Sequence, residues 1–300
     1  MTAPPRVAFQ GDQGAFSDEV ASAVFGDTAM TLPQRDFEGV AAAVLGGTAD
    51  FGVLPAENLI HGSVLPVYDL LAAGGLAVIG ETVHPIRLCL MAVQGAQLSS
   101  LDGVLSHPVA LNQCRQFFAR HPTVETVAFF DTAGAAREVA RRGDPRLAAI
   151  APAGAARRYG LDILAESVGD RADNQTRFFI IQRTASVVSD CIASADPCRV
   201  IIMVDAAHSP GSLLQVLTPL AASGINLTRI ESRPHSVPWN YHFFVEASAP
   251  DRKSLDEALA VMRQDANRIV LLGVMPADHP LAGASEREAL DRLSAKRSTA

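Results

Sequence analysis

The sequence predicts an α/β chain made of a two-lobed βα unit followed by a smaller βαββαβ unit, and three observations carry that prediction. From residue 6 to about 166, short apolar runs alternate with helical patterns, as in parallel sheets covered by helices. Around 78 to 86, "VIGETVHPI", a turn-rich stretch divides these elements into two sets, which implies two lobes and a cleft. From 198 to 276 the pattern becomes strand, helix, strand, strand, helix, strand, a ferredoxin-like plan.

The elements follow in order. "RVAFQ" (6–10) reads as a strand, and the glycine turn "GDQGAFS" leads into a helix with Val20, Ala21, Val24 and Phe25 on one face. Ser17 is placed to cap that helix, with Asp18 and Glu19 favouring its positive end. Phe37, Val40, Ala41, Val44 and Leu45 have helical spacing, with Asp36 as cap and Gly46-Gly47 as stop. "FGVLP" (51–55) is a strand, and after Gly80 the alternation resumes with "RLCLMAV", "GVLS", "LAAIAP" and "ILAE". A helix from Pro108 would bury Ala110, Leu111, Cys114, Phe117 and Phe118, with Ser106 near its cap and Gln113 at the stripe's edge. "DTAGAAREVA" is a further helix entry with Thr132 as cap.

"DNQTRFFII" (173–181) sets three polar groups ahead of an apolar strand. Strand alternation puts Asn174 and Thr176 on one face, Arg177 and Phe179 on the other. That strand is expected to cross back into the first lobe, leaving "DNQT" at the hinge and facing the cleft. Residues 185–197 are small and polar and read as a linker. Beyond them come strand "RVIIMVD", a helix bounded by Pro210 and Gly224, strands "NLTRIESRP" and "YHFFVEA", helix "SLDEALAVMRQDA", strand "RIVLLGV" and a charged, alanine-rich tail.

Composition narrows the function. With 25 basic against 32 acidic residues, net charge -7 and no basic stripe, nucleic acid is not an expected partner. "GDQGAFSDE" matches neither the dinucleotide fingerprint nor a Walker loop. The four cysteines (Cys89, Cys114, Cys191, Cys198) form no CxxC pair, and His61, His84, His107, His208 and His235 have no metal-ligand spacing. No Ser-His-Asp pattern supports nucleophilic hydrolysis. With neither a signal-like N-terminus nor an apolar run of membrane length, a soluble cytoplasmic protein without membrane, metal or cofactor is expected.

Taken in order, "GDQGAFS", "LPAEN…GSV", "SHPVALNQC", "DTAGAA" and above all "DNQTRF", followed by "PGSLLQVL" and "INLTRIESRP", resemble prephenate dehydratase with a C-terminal ACT regulatory domain, from about residue 6 to 276. The resemblance implies a two-lobed catalytic unit like the periplasmic binding proteins over 1–184, with lobes at about 5–79 plus 175–184 and at 80–174. It further implies an ACT domain over 198–276 and a tail over 277–300. The implied reaction, in phenylalanine biosynthesis, is loss of water and carbon dioxide from prephenate to give phenylpyruvate, a carbon-oxygen lyase step without cofactor. Its physical demands are orientation, a proton donor for the departing hydroxyl and an environment that favours charge loss.

By the same resemblance Thr176 donates to the leaving hydroxyl, and Arg177 holds a substrate carboxylate or the local backbone. Glu57, Asn58, Ser106, Gln113, Thr132 and Asn174 would line the cleft, and Phe178 would be its apolar wall. The ACT domain implies L-phenylalanine as inhibitor in a homodimer or homotetramer, framed by Gly211, Ser212 and Leu213, with Asn226 and Glu231, Ser232, Arg233 and Pro234 opposite. The sequence departs from the family pattern at Leu59, His61, Val109 and Ser212, which bears on substrate preference and effector affinity. Two other readings stay open: arogenate dehydratase, and a non-catalytic amino-acid or ligand sensor, since clefts of this type also occur in solute-binding proteins. Thr176 within "TRF" favours the enzyme.

Overall fold

The computed structural model describes residues 3–184, 197–234 and 238–276. Cys191, His235, the tail and all of the expected linker except Pro197 lie outside the described residues.

The chain opens with β1 (Arg6–Gln10), α1 (Phe16–Phe25), β2 (Met30–Gln34), α2 (Phe37–Leu45), β3 (Phe51–Asn58) and β4 (Gly62–Ser63). There follow α3 (Leu65–Ala72), β5 (Leu76–Pro85), β6 (Cys89–Ala92), β7 (Gly103–Ser106), α4 (Pro108–Asn112), α5 (Arg115–Arg120) and β8 (Glu125–Ala128). Next come α6 (Thr132–Arg142), β9 (Leu147–Ala151), α7 (Ala153–Tyr159), β10 (Asp162–Ala165) and β11 (Gln175–Arg183). The last elements are β12 (Cys198–Asp205), α8 (Ser212–Ala222), β13 (Asn226–Pro234), β14 (Tyr241–Ala249), α9 (Arg252–Asp265) and β15 (Arg268–Pro276). The described residues form two compact units, those up to Val64 with Val83–Phe178, and Leu65–Thr82 with those from Phe179 onward.

In the first unit β1 lies between β2 and β3, parallel to both, and β4 folds back on the end of β3. Val7, Ala8 and Phe9 are all buried, as a parallel strand covered on both faces requires. A second sheet has the order β10-β6-β9-β7-β8. Its alternate residues feed two cores: Met91, Leu105, Ala149 and Ala151 pack with α6 and α7, while Leu90, Val104 and Ile150 pack with Phe117 of α5 on the other side. Since β7 is parallel to β8 and to β9, their carboxyl ends emerge together, next to Ser106, Asp131 and Pro152.

In the second unit β13-β14-β12-β15 is the antiparallel sheet of a ferredoxin-like fold. Helices α8 and α9 cover one face through Val200, Ile202, Val204, Val245, Leu255 and Met262. Strand β5 joins β15 in parallel at Val78 and Gly273. A Cβ at Gly273 would lie 2.4 Å from the Val78 carbonyl oxygen, so this approach demands glycine. Helix α3 belongs to this unit and buries Tyr68 against Phe244 and Phe179, with ring centroids 5.2 and 5.9 Å away.

Several local expectations are corrected. The stretch expected to be turn-rich at 78–86 is instead most of strand β5, because Val78, Ile79, Thr82 and Val83 favour extended backbone and Gly80 alone does not break it. Ser17 lies inside α1 while Ala15 holds the cap position, and Asp18 turns back to accept from the Gly14 amide. The helix from Pro108 is two short helices, capped first by His107, whose ring accepts from Val109 N, and not by Ser106. Asp131, not Thr132, caps α6. In contrast, Asp36 caps α2 as expected, accepting from Gly39 N at 2.8 Å.

Candidate active site

Strand β3 runs past the end of its parallel neighbour and delivers Glu57 and Asn58 into a tight turn closed by β4. The Asn58 side-chain oxygen Oδ1 accepts from the backbone amides of Ile60 and His61, at 3.0 and 3.1 Å. This turn therefore fixes which end of the side chain faces outward. The two hydrogens of the Asn58 amide nitrogen are shared among three acceptors, Thr176 Oγ1 at 2.9 Å, Asn174 Oδ1 at 2.9 Å and the Gln175 carbonyl at 3.1 Å.

The direction of the remaining bonds follows. Asn174, accepting on its oxygen, donates its amide to Gln113 Oε1 at 3.2 Å. Thr176, accepting on Oγ1, must direct its own hydrogen elsewhere, so the hydroxyl is an oriented donor. Thr176 is only 7% exposed, and Asn174, Gln113 and Phe178 are buried with it. A neutral network in such surroundings polarises each bond it contains.

Gln113 is held by the helix break that the sequence did not reveal. The Asp170 carboxylate accepts from Arg115 N and Gln116 N at 3.0 and 2.9 Å, which starts α5 anew, and Asp170 N donates to the Gln113 carbonyl at 2.6 Å. On the other face of β11, Arg177 pairs with Glu57 at 3.1 Å. Its guanidinium is 12% exposed against 40% for the carboxylate, so the cation is the more enclosed partner.

Other predicted residues sit apart from this network in the contacts described. The Ser106 hydroxyl is fully buried and donates to the Ile150 carbonyl at 2.6 Å. Thr132 opens α6 beside Asp131, whose Oδ1 accepts from Gly134 N at 2.6 Å. Asp131 was not singled out from the sequence, where its place before Thr132 was the only sign. Its Oδ2 and that of Asp12 are buried without a hydrogen-bond partner, and a Cβ on Gly134 would come within 3.0 and 2.8 Å of them. Burial pushes the Asp131 carboxyl above its ordinary value, and the nearby Asp12 charge adds to the rise. Burial also drives the Cys114 thiol up to about 12, which marks it as an inert core residue. Among the described residues no three His, Cys, Asp or Glu side chains gather as a metal site, and no helix is long and apolar enough to cross a membrane.

In the second unit a cavity of about 620 Å³ is lined by residues 206–214 with Asn240, Tyr241 and Phe243. Gly211 stands at the N-cap of α8 with φ of 83°, and the Ser212 hydroxyl donates to the Ala207 carbonyl. Gly211, Ser212 and Leu213 thus border the cavity as a group. Ser232 and Pro234 pair with Phe243 and Tyr241, on the helix side of the sheet. Glu231 and Arg233 point to the opposite side, and Asn226 lies at the far end of β13, paired with Ser248.

Fold and site define an α/β catalytic unit fused to a ferredoxin-like regulatory domain. Residues 7–186 match the prephenate dehydratase family and residues 200–266 match the ACT domain, and the chain belongs to the prephenate dehydratase family. It is 34% identical over 278 residues to a bifunctional chorismate mutase/prephenate dehydratase of Neisseria gonorrhoeae, covering 91% of this chain and 75% of that one. It is 33% identical over 294 residues to arogenate dehydratase 2 of Petunia hybrida, covering 92% and 73%. Among solved structures, prephenate dehydratase from Arthrobacter aurescens in complex with L-Phe superposes with a TM-score of 0.82 at 27% identity, covering 98% of this chain and all of that one.

Proposed function

We propose that the chain converts prephenate to phenylpyruvate at the network around Thr176 and is inhibited by L-phenylalanine at the ACT domain. The observation that carries the chemistry is the direction of the Asn58 bond to Thr176, which commits the hydroxyl to donating. In the reaction the ring C–O bond breaks as the carboxylate on the opposite ring carbon leaves as carbon dioxide. The two electrons of that C–C bond enter the ring, and one proton, drawn in the end from solvent, joins the departing hydroxide to give water. Thr176 donates toward the leaving oxygen, while the Asn58 N–H stabilises the charge that grows on Oγ1. An aliphatic hydroxyl is a very weak acid, so its contribution is that of a strong, fixed donor. Such help contributes about 10² to 10⁴ in rate.

Asn174 and Gln113 hold Asn58 in place, Arg177, paired with Glu57 on the other face of β11, steadies the local backbone, and Phe178 keeps the reacting carboxylate in apolar surroundings. Thr132 borders the site from the carboxyl end of β8, while Ser106, buried and bonded to the Ile150 carbonyl, supports that rim from β7 without lining it. In this reading residues 1–184 are the catalytic domain, with the lobes given above, and 198–276 the effector domain, working in the cytoplasm as a homodimer or homotetramer. Light scattering during size exclusion tests the assembly.

The likeness to a Petunia arogenate dehydratase supports a second substrate, the amino analogue, which would give phenylalanine directly. The deciding experiment follows phenylpyruvate by absorbance and phenylalanine by chromatography, with each substrate, with and without L-phenylalanine. Prephenate turnover suppressed by phenylalanine is the expected result. Turnover of arogenate alone replaces it with the second reading, and turnover of neither leaves a ligand sensor.

A further inference from the structure

Strand β13 has two working faces, and both are occupied within the same compact unit. On the helix side, Ser232 and Pro234 stand opposite Phe243 and Tyr241, which line the 620 Å³ cavity. On the other side, Arg229, Glu231 and Arg233 face helix α3. Arg233 grips Asp69 in a bidentate pair along one edge of its guanidinium, Nε to Oδ1 at 3.1 Å and Nη2 to Oδ2 at 2.5 Å. Arg229 donates to the Tyr68 hydroxyl at 2.6 Å, lies 5.1 Å from the centre of that ring and pairs with Glu231 at 3.3 Å.

Behind this contact lies a buried charge cluster. The Tyr68 hydroxyl donates to Glu246 at 3.1 Å, Glu246 also pairs with Arg229 and Arg199, and Arg199 bridges on to Glu81 of β5. Glu246 and Glu81 are 2% and 6% exposed, so these charges tolerate burial only while every partner stays in register. The cluster is a rigid anchor for Tyr68, whereas the Arg233 pair beside it is half open to solvent and can adjust.

We propose that β13 couples the effector cavity to the active site through α3, with the Arg233–Asp69 pair as the adjustable link. The proposal rests on the effector reading given above and assigns its route. A ligand in the cavity presses on the Ser232 and Pro234 face of β13, an edge strand with a register shift between Leu227 and Arg229, and the opposite face carries that displacement to α3. Only Val64 separates α3 from β4, and β4 closes the turn that orients Asn58. A change in α3 is thus delivered along the chain to the residue that aims the Thr176 hydroxyl.

The test is Asp69→Asn in the full-length protein, a substitution at an exposed helix position outside the catalytic and effector machinery. Turnover without effector should stay within about twofold of the parent, and L-phenylalanine should still bind, as read by calorimetry. Inhibition should nevertheless collapse, the effect on turnover falling from the roughly 5- to 150-fold usual for coupled sites toward none. Asp69→Arg combined with Arg233→Asp should restore inhibition that Asp69→Arg alone has lost, a rescue that a merely structural role would not give. Asp69→Asn inhibited as strongly as the parent overturns the coupling alone, and so does loss of phenylalanine binding in that variant. A parent that dehydrates prephenate but neither binds nor responds to phenylalanine removes the effector reading, and this one with it.

Discussion

Two polar networks among the described residues are built from opposite materials. Around Thr176 the partners are neutral: amides and a hydroxyl joined by hydrogen bonds that run in one direction. Around Glu246 they are charged: carboxylates held by Arg199 and Arg229 with a tyrosine between them. Neutral groups can be buried one by one if each bond is made, and their value lies in orientation. Buried charges are costly alone and stable only as a set, so their value lies in holding elements in register. The first arrangement suits a reacting centre, which must present one donor accurately. The second suits a joint.

Breaking the neutral network at its donor should have the largest effect. Thr176→Ala is expected to cut turnover of prephenate by about 10² to 10⁴, with a melting temperature close to the parent's, because it removes one hydroxyl and leaves a small void. Steady-state kinetics together with thermal melts check both halves, and near-normal turnover would remove Thr176 from the chemistry. Asn58→Asp sharpens the point. The carboxylate can still accept from Ile60 and His61 but offers Thr176 no N–H, so the turn survives and the donor is lost. A fall in kcat of about 10²-fold is expected, of the size seen when one oriented donor is removed.

Breaking the charged network should move stability instead. Glu246→Ala leaves Arg199 and Arg229 without a shared carboxylate and should destabilise the fold by about 3–5 kcal/mol, measured by denaturant unfolding. If stability is unchanged, the cluster does not anchor α3. The smallest expected effect is at Asp131. Its folded-state carboxyl titrates above the ordinary value of 3.8, so the folded protein bears the burden of a buried anion as pH rises through that raised value. Below 3.8 the group is protonated in both states and the burden disappears. Asp131→Asn keeps an oxygen for the Gly134 amide and stays neutral. Its melting temperature should therefore exceed the parent's near neutral pH, with the gap closing as pH falls below 3.8. A gap that does not depend on pH would mean that charge burial is not the cause.

How far the sequence could be read depended on the range of the interaction involved. Helix α2 was legible because Asp36 and the apolar spacing act within a few residues. The strand face shared by Asn174 and Thr176 was legible because alternation is local, and Asn58 does bond to both. The helix from Pro108 was misread because its break is made by Asp170, more than fifty residues away. The stretch at 78–86 looked like a divider because its turn signals are local, whereas its partner strand β15 lies nearly two hundred residues on. In "ESRP", sequence proximity suggested one effector wall, yet strand alternation sends Ser232 and Pro234 to the cavity side and Glu231 and Arg233 to α3.

By itself, then, the sequence determined the locally signalled elements, such as α2, β11 and the βαββαβ order of 198–276, since propensity, capping and periodicity are set within a turn or two of chain. Only the tertiary structure decided which way each amide points, which carboxylate each arginine takes and that α3 packs with the ACT sheet. Those choices belong to pairs of groups distant along the chain, and a hydrogen bond acquires its direction only when both ends are in place.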